Sequence, residues 1–308
     1  MQQRVLVSVV MITYGHEKYI RQAIEGVLMQ EGDFDLELIV ANDCSPDATD
    51  AVVHTILKEH PRASCVRYFK HEENKGMMAN FVFALQQATG KYIALCDGDD
   101  YWTDPYKLQK QVQFLEENEE YVIHSGKAQM LVQNELSEVI GNPLLKSTYV
   151  LSDFFTKNNL ISCTTMFKNK KIKYECFENL IFGDWILSVL LLSNKKGNLA
   201  YVSDEIYAVY RVQEGGVMQT LTNHYDNQLA HLKQIVAINK AVNTNYNEDD
   251  IKKINFYCLS IFRHSLINKK YKVCFSVFVK NFFLTKNRMQ IRKYLSFIKN
   301  NLFISKHA

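Results

Sequence analysis

The strongest constraint in this chain is the alternation of strand and helix signals over its first 100 residues. Val5–Ile12 is an unbroken apolar run, the pattern of a central parallel strand buried on both faces. Between Glu17 and Gln30, Ile20, Ala23, Ile24, Val27 and Leu28 recur at helical spacing. Leu36–Ala41 reads as a second strand, and Ser45-Pro46 opens a helix to about Glu59, proline being suited to a first turn. Ser64–Lys70 is a third strand, Lys75–Thr89 a helix stopped by Gly90, and Lys91–Cys96 a fourth strand. This order predicts an α/β fold, an open and mostly parallel sheet with helices on both faces.

The regularity then fades. Asp104-Pro105 starts a helix to about Glu117, Tyr121–Val132 and Ile161–Phe167 read as strands, and Asp184–Leu192 is an apolar helix. Asn198–Val212 reads as two short strands, and from Thr220 onward the patterns are helical only. The boundary falls near residues 215–220, giving a domain over 1–218 and a C-terminal helical extension over 219–308. No internal repeat or low-complexity segment interrupts either part.

Charge divides the chain at the same end. The formal charge of +3 hides a first stretch to Asp250 of net −10 and a last 58 residues of net +13, with no acidic side chain after Asp250. A uniformly basic nucleic-acid binder is excluded by that acidic bulk. With 47% hydrophobic residues, 12 Gly and 4 Pro, collagen-like and disordered classes are excluded too. Seven cysteines, with no CxxC, argue against a disulfide framework or zinc ribbon and for a reducing compartment. The run Val5–Ile12 is short for a signal-peptide core and lacks a small-x-small cleavage site after it, so a buried first strand is the expectation. The longest late apolar stretch, Val273–Leu284, has 12 residues and contains Lys280, short of the roughly 20 that span a bilayer.

In an open α/β sheet, ligands bind beyond the carboxyl ends of the strands. Three strands here end in polar groups: Thr13-Tyr14, Asn42-Asp43, and Asp97-Gly98-Asp99-Asp100. Carboxylates gathered at one crevice repel each other unless a cation joins them. A hard divalent ion on one or two carboxylates, completed by water and substrate phosphates, suits such a set. The plain alternative is a solvated acidic turn ahead of the Asp104–Glu117 helix. His16, His71 and His124 have no ligand spacing between them and are expected to be surface or packed residues.

The ordered motifs resemble the family 2 glycosyltransferases, inverting enzymes of the GT-A fold, across roughly residues 5–218. The opening VSVVMITYGHEKYIRQAIEGVLMQ is similar to their first strand and helix, and ELIVANDCSPDATDAVV to their second strand with its Asp-x-Ser-x-Asp turn. ENKGMMANFVFALQQATGKYIALCDGDDYWTDPYKLQKQ looks like their Asn-x-Gly helix and DxD strand. FGDWILSVLLL and YAVYRVQEGGV resemble their acceptor-side helix and closing strand.

The resemblance implies a GT-A, Rossmann-like domain that uses a nucleotide-sugar donor, most simply a UDP-sugar. Thr13 and Tyr14 would lie along the base, Asp43 would accept from its imide, and Asp97 would hold the ribose side. Asp99 would coordinate Mn²⁺ or Mg²⁺ bridging the diphosphate, and the cation would neutralise charge as the nucleoside diphosphate leaves. Lys75 is a further cation for the nucleotide, or a solvated helix-start lysine. Asp184, in the family's Asp-Trp element, would be the general base taking the acceptor's proton, its helix-start position holding it ionised; the plain alternative is an N-cap. Trp185 would stack on an acceptor sugar or sit in the core. Arg211 would face the diphosphate or the acceptor. Many relatives read Tyr-Arg-x-His here, and this chain has Gln213 instead, which hydrogen-bonds but replaces an imidazole ligand poorly.

The acceptor implied is a glycan or lipid-linked glycan, in assembly of a bacterial surface polysaccharide. Residues 251–308 mix aromatics with Lys and Arg, and Leu284, Ile291, Leu295, Ile298 and Leu302 fall near one helical face. That is the composition of an interfacial helix on anionic lipid, so the expected location is cytoplasmic and peripheral on the inner membrane face; the alternative is a helical cap showing lysines to water. A nucleic-acid partner is not expected. No glycine-rich loop follows the first strand, against a nucleotidyltransferase or a dehydrogenase. The alternative from another class is a catalytically inactive sugar-nucleotide-binding or scaffold protein docking to membrane through its basic tail; Asp99 together with Asp184 argues against it.

Overall fold

The computed structural model describes residues 5–142, 145–213, 216, 224–286 and 288–304. They form two compact units, Met1–Leu151 with Asn158–Asn179 and Gly183–Glu214, and Ser152–Lys157 with Leu180–Phe182 and Gly215–Ala308. The expected boundary at 215–220 lies, Gly216 apart, outside the described residues.

The first unit is the expected α/β sheet. Strand β1 (Val5–Thr13) is flanked by β2 (Phe34–Asn42) and β4 (Tyr92–Leu95), and β3 (Val66–Lys70) pairs β2, all in parallel. Val7, Val9, Val10 and Met11 are buried on both faces of β1, which is why the run carries no alternation. Helices α1 (Ile20–Leu28), α2 (Thr49–Glu59) and α3 (Met77–Gln87) connect these strands. The chain then adds β5 (Tyr101–Trp102), α4 (Lys107–Glu117), β6 (Tyr121–Val132), β7 (Glu135–Ile140), β8 (Thr148–Tyr149), β9 (Met166–Lys168), α5 (Gly183–Ser193) and β10 (Leu199–Val212). The sheet order is β3-β2-β1-β4-β9-β6-β10-β5, with β9 antiparallel to both neighbours and β6 parallel to β10.

Four sequence expectations shift. The helix expected from Ser45-Pro46 begins at Thr49, because Ser45 and Asp47 are occupied in a loop: Asn42 Oδ1 accepts from the Ser45 N–H at 2.9 Å, and Asp47 Oδ1 accepts from the Thr49 N–H at 3.0 Å. In place of a strand from Ile161, residues 162–164 form a 3₁₀ turn, since the Thr164 and Thr165 hydroxyls both donate to the Ile161 carbonyl at 2.9 Å. The two short strands expected over 198–212 are one strand with register shifts against β6 between Val202 and Ala208. The polar interruption Ser203-Asp204-Glu205 is that bulge, with Ser203 Oγ accepting from the Glu205 N–H.

The fourth concerns the second unit, built from α6 (His224–Ala241), α7 (Glu248–Ile267), α8 (Tyr271–Leu284) and α9 (Ile291–Ile304). The last acidic residues of the chain, Glu248, Asp249 and Asp250, occupy the first turn of α7, and Asn247 with Asp250 forms a capping box there. The expected single face over 284–302 is broken between α8 and α9. Leu284 is buried, while Ile291, Leu295 and Ile298 are exposed; the Leu302 side chain lies outside the described residues. Asn281 holds the break, donating to Asn255 Oδ1 at 3.0 Å and to the Tyr294 hydroxyl at 2.7 Å. Asn255 in turn donates to the Arg288 carbonyl. Among the described residues no helix is long and apolar enough to cross a membrane.

Candidate active site

Register sets the site. β1 and β2 pair residue for residue up to Thr13 and Asn42, so the segments after them leave the sheet side by side, joined by the Asp43 N–H to the Thr13 carbonyl at 3.0 Å. Beyond β4 the chain still follows β1: the Cys96 N–H reaches the Val10 carbonyl and the Gly98 N–H the Ile12 carbonyl. Asp97 and Asp99 therefore emerge at the rim next to Thr13 and Asp43. The approach is close enough to exclude a side chain at position 98, where a Cβ would lie 2.8 Å from Thr13 Cβ and 3.0 Å from His16 Nδ1.

The loops after β1 and β2 are stitched together. The Gly15, His16 and Glu17 N–H groups donate to Ser45 Oγ, Thr49 Oγ1 and Asp47 Oδ2 at 2.9–3.0 Å, and the Ala48 N–H donates to Glu17 Oε2. The Asp-x-Ser-x-Asp turn thus divides its labour. Ser45 and Asp47 fix the loops, while Asp43 faces the rim and accepts from the Lys75 N–H at 2.8 Å. Tyr14 is 49% exposed at the end of β1, and Thr13 is buried with no partner for its hydroxyl among the described residues. The Lys75 side chain is exposed, its ammonium 6.0 Å from the Phe83 ring centroid.

The carboxylates converge. Burial first, and then the charges of Asp99 and Asp184, push Asp97 up to about 8. Asp100 is also raised well above the usual range by burial and by Asp99 and Asp97, although its Oδ1 accepts from the Arg211 N–H at 2.8 Å. Asp184 lies in the first turn of α5, where Asn158 donates to its Oδ2 at 2.7 Å. The helix-start argument expected a depressed pKa there. Burial instead raises it, outweighing the Trp185 N–H and Asn158 hydrogen bonds. Trp185 itself is 2% exposed, so its ring belongs to the core and offers no face at the rim.

Arg211 is held by protein. Its Nε donates to the Asp99 carbonyl at 2.9 Å, its Nη2 to Gln22 at 3.0 Å, and its guanidinium carbon lies 4.5 Å from the Tyr19 ring centroid. In this position it clamps the Asp99-Asp100 turn. Gln213 Nε2 donates to Asp99 Oδ2 at 2.6 Å and lies 3.3 Å from His16 Nε2. His71 and His124 are packed as expected, on Asn80 and Gln111. His16 is the exception, its Nε2 3.9 Å from Asp99 Oδ2. Burial lowers its pKa against the raising effects of Asp99 and Asp47.

Among the described residues no three His, Cys, Asp or Glu side chains form a self-sufficient metal cage. That donor set still fits an ion shared with a diphosphate, which needs only one or two protein ligands. Asp99 is the carboxylate available for it, and clustered like charges at Asp97, Asp99 and Asp100 are what a cation would relieve.

The glycosyl transferase family 2 model matches residues 8–174, more than half of the chain. The chain belongs to glycosyl transferase family 2. A protein of Mycobacterium tuberculosis is 32% identical over 211 residues, 68% of this chain and 60% of that protein, so the chain spans about 60% of the length of the mycobacterial relatives it matches. The putative teichuronic acid biosynthesis glycosyltransferase TuaG of Bacillus subtilis is 30% identical over 216 residues, 69% of this chain and 81% of TuaG. The GalNAc(5)-diNAcBac-PP-undecaprenol beta-1,3-glucosyltransferase of Campylobacter jejuni is 25% identical over 300 residues, 96% and 94% of the two chains. Among solved structures, S. aureus TarS with UDP-GlcNAc aligns with a TM-score of 0.60 at 16% identity, covering 96% of this chain and 92% of that one. The mannosyltransferase PcManGT of Pyrobaculum calidifontis, with GDP-Man and Mn²⁺, aligns at 0.58 and 15%, covering 98% and 88%. At those identities the likeness shows the fold, GT-A.

For this family 2 chain, sequence reasoning missed His16, Gln22, Asn158 and the stitching by Ser45, Asp47 and Thr49. Each is a short-range polar residue whose partner lies 26 or more positions away. The quoted Asp-x-Ser-x-Asp spacing was the one signal that reached part of that set.

Proposed function

We propose that the chain is an inverting glycosyltransferase that moves a sugar from a nucleotide-sugar donor, most simply a UDP-sugar, to a hydroxyl of a glycan or lipid-linked glycan. The observation that carries this is that the charges of Asp99 and Asp184 both raise the buried Asp97 carboxyl, which supports a donor-binding turn and a base sharing one cleft. Tyr14 stacks on the base and Asp43 accepts from its imide, with Thr13, Lys75 and Asp97 along the nucleoside. Asp99 holds Mn²⁺ or Mg²⁺, and that ion supplies charge neutralisation at the departing diphosphate. Asp184, kept strongly basic by burial, takes the acceptor proton as the oxygen attacks the anomeric carbon opposite the diphosphate. Arg211 keeps the Asp99-Asp100 turn in place. Residues 1–218 form the transferase domain and 219–308 a separate helical module.

A place in surface-polysaccharide assembly is supported by TuaG, named for teichuronic acid biosynthesis, and a lipid-linked acceptor by the Campylobacter glucosyltransferase named for a PP-undecaprenol glycan. A lipid-linked acceptor gives the basic, ring-bearing module over 251–308 a use, docking a cytoplasmic enzyme on an anionic membrane surface. The test is a panel of sugar nucleotides with Mn²⁺, read by thermal shift and by transfer. Stabilisation by UDP-sugars that is lost in Asp99→Ala supports the reading. Indifference to every donor, in the wild type as in the variant, rejects it in favour of a scaffold.

A further inference from the structure

We propose that His16 Nε2 is a second protein ligand of the divalent cation carried by Asp99, and that the site thereby takes Mn²⁺ in preference to Mg²⁺. This rests on the metal reading of Asp99 above. His16 Nε2 and Asp99 Oδ2 are 3.9 Å apart. Two ligands each about 2.1 Å from one ion sit about 3.0 Å apart as octahedral neighbours and at most about 4.2 Å apart, so a side-chain shift of about 1 Å brings both to a common centre.

The Gln213 amide nitrogen lies between the same two groups. It donates to Asp99 Oδ2 at 2.6 Å and lies 3.3 Å from His16 Nε2, the place a cation would take between the carboxylate and the Nε2-unprotonated tautomer of the ring. The imidazole is held ready. Its backbone N–H donates to Thr49 Oγ1 and its carbonyl accepts from the Tyr19 and Ile20 N–H groups. The ring rests against Gly98, and its Nδ1 is buried with no hydrogen-bond partner among the described residues. Gln213 has no ring nitrogen to offer, and His16 brings an imidazole to the same carboxylate from the opposite end of the unit's sequence.

The metal preference follows from ligand chemistry. Mg²⁺ favours oxygen donors in near-ideal octahedra, whereas an imidazole nitrogen suits first-row transition metals. Gln213 must release Asp99 for the ion to load, so its truncation strengthens binding where loss of His16 weakens it.

The experiment is pulsed EPR of the full chain with UDP and Mn²⁺, prepared with natural-abundance and with ¹⁵N-histidine protein. A directly bound imidazole gives a ¹⁴N modulation that changes on labelling and vanishes in His16→Ala. The same variant should bind Mn²⁺ about tenfold or more weakly, with Mg²⁺ binding much less affected, and Gln213→Ala should bind Mn²⁺ more tightly. Should His16→Ala fold poorly, the labelled wild-type spectrum decides alone. Mn²⁺ bound with UDP in an Asp99-dependent way, but without histidine modulation, overturns the proposal and leaves the transferase reading intact. Mn²⁺ binding that ignores Asp99→Ala overturns both.

Discussion

The strand-end rim and helices α8–α9 depart from ordinary residue placement in opposite senses. At the rim, Asp97, Asp99, Asp100 and Asp184 gather where burial raises three of them, with repulsion adding to the rise at Asp97 and Asp100. On α8 and α9, Phe275 and Phe283 are each 72% exposed, and Tyr271, Leu295 and Ile298 face water as well. Sunk charge and bare rings both cost free energy in the protein alone, and each cost is relieved by a ligand of matching chemistry. On the function proposed above, the rim takes a cation with a diphosphate. Helices α8 and α9 and the residues just before them, with Lys269, Lys270, Lys272, Arg292 and Lys293 exposed among the rings, would take an apolar surface with negative charge. On that reading one chain holds two incomplete surfaces, and the sign of what is missing differs between them.

The largest expected effect tests the rim. Asp184→Asn keeps the Asn158 contact in shape but removes the proton acceptor, so transfer should fall about 10³-fold while donor binding is preserved. Equal loss of binding and turnover would instead make Asp184 part of the donor site. A second test separates functional burial of charge from burial that only destabilises. Lys107 is fully buried behind the rim, its Nζ 3.9 Å from the Trp102 ring centroid and donating to Gln111 Oε1, and burial lowers its pKa to about 7. Between pH 7 and 10.5 only the unfolded chain carries this proton, so stability should rise with pH across that window and be flat below it. The full span is at most about 5 kcal/mol. Lys107→Met should therefore raise the unfolding free energy at pH 7 and lose that advantage near pH 10. Parallel denaturation curves at both pH values would refute the assignment.

Legibility followed the range of the forces involved. The parallel strands were readable to within two or three residues, because burial on both faces writes an apolar run into Val5–Ile12 and Leu36–Ala41. Once those strands were ordered, the rim carboxylates followed from their ends. Strands β5 and β7 left no trace, being two residues long or largely exposed. The 3₁₀ turn at 162–164 was set by two threonine hydroxyls against a strand-like composition. His16 was invisible as a neighbour of Asp99, since 83 positions separate them and only the β1–β4 register joins them. Asp184's raised pKa was missed because the local rule, a helix start, was outweighed by burial that only the tertiary structure supplies.

The second surface is tested by changing rings and keeping charge. Deleting 284–308 is a poor probe, because Leu284, Met289 and Tyr294 are core residues of the helical unit. Phe275→Ser with Phe283→Ser leaves that core untouched. The pair should weaken binding to phosphatidylglycerol vesicles about thirtyfold, at roughly 1 kcal/mol per partly inserted ring. Donor binding should be unchanged. Wild-type protein that ignores such vesicles at low salt would make α8 and α9 a solvated cap, and would end the symmetry between the two surfaces.

The smallest effect concerns what keeps those rings presented. Packing of α9 against α7 depends on how α8 is joined to α9, and Asn281 is the buried anchor there through Asn255 and Tyr294. Asn281→Ala removes two hydrogen bonds, taking the amide donor from the Tyr294 hydroxyl and leaving Asn255 Oδ1 with the Gln290 N–H, a loss of about 1–2 kcal/mol. Hydrogen exchange should then quicken in peptides covering 271–300. Unchanged exchange there would mean that packing of Tyr294 against Phe262 and Phe278, at 4.7 and 5.2 Å between ring centroids, fixes the turn without the amide. The presentation of α8 and α9 would then rest on the same apolar contacts that hold any helical bundle, and the buried asparagines would select the turn's geometry while adding little to its stability.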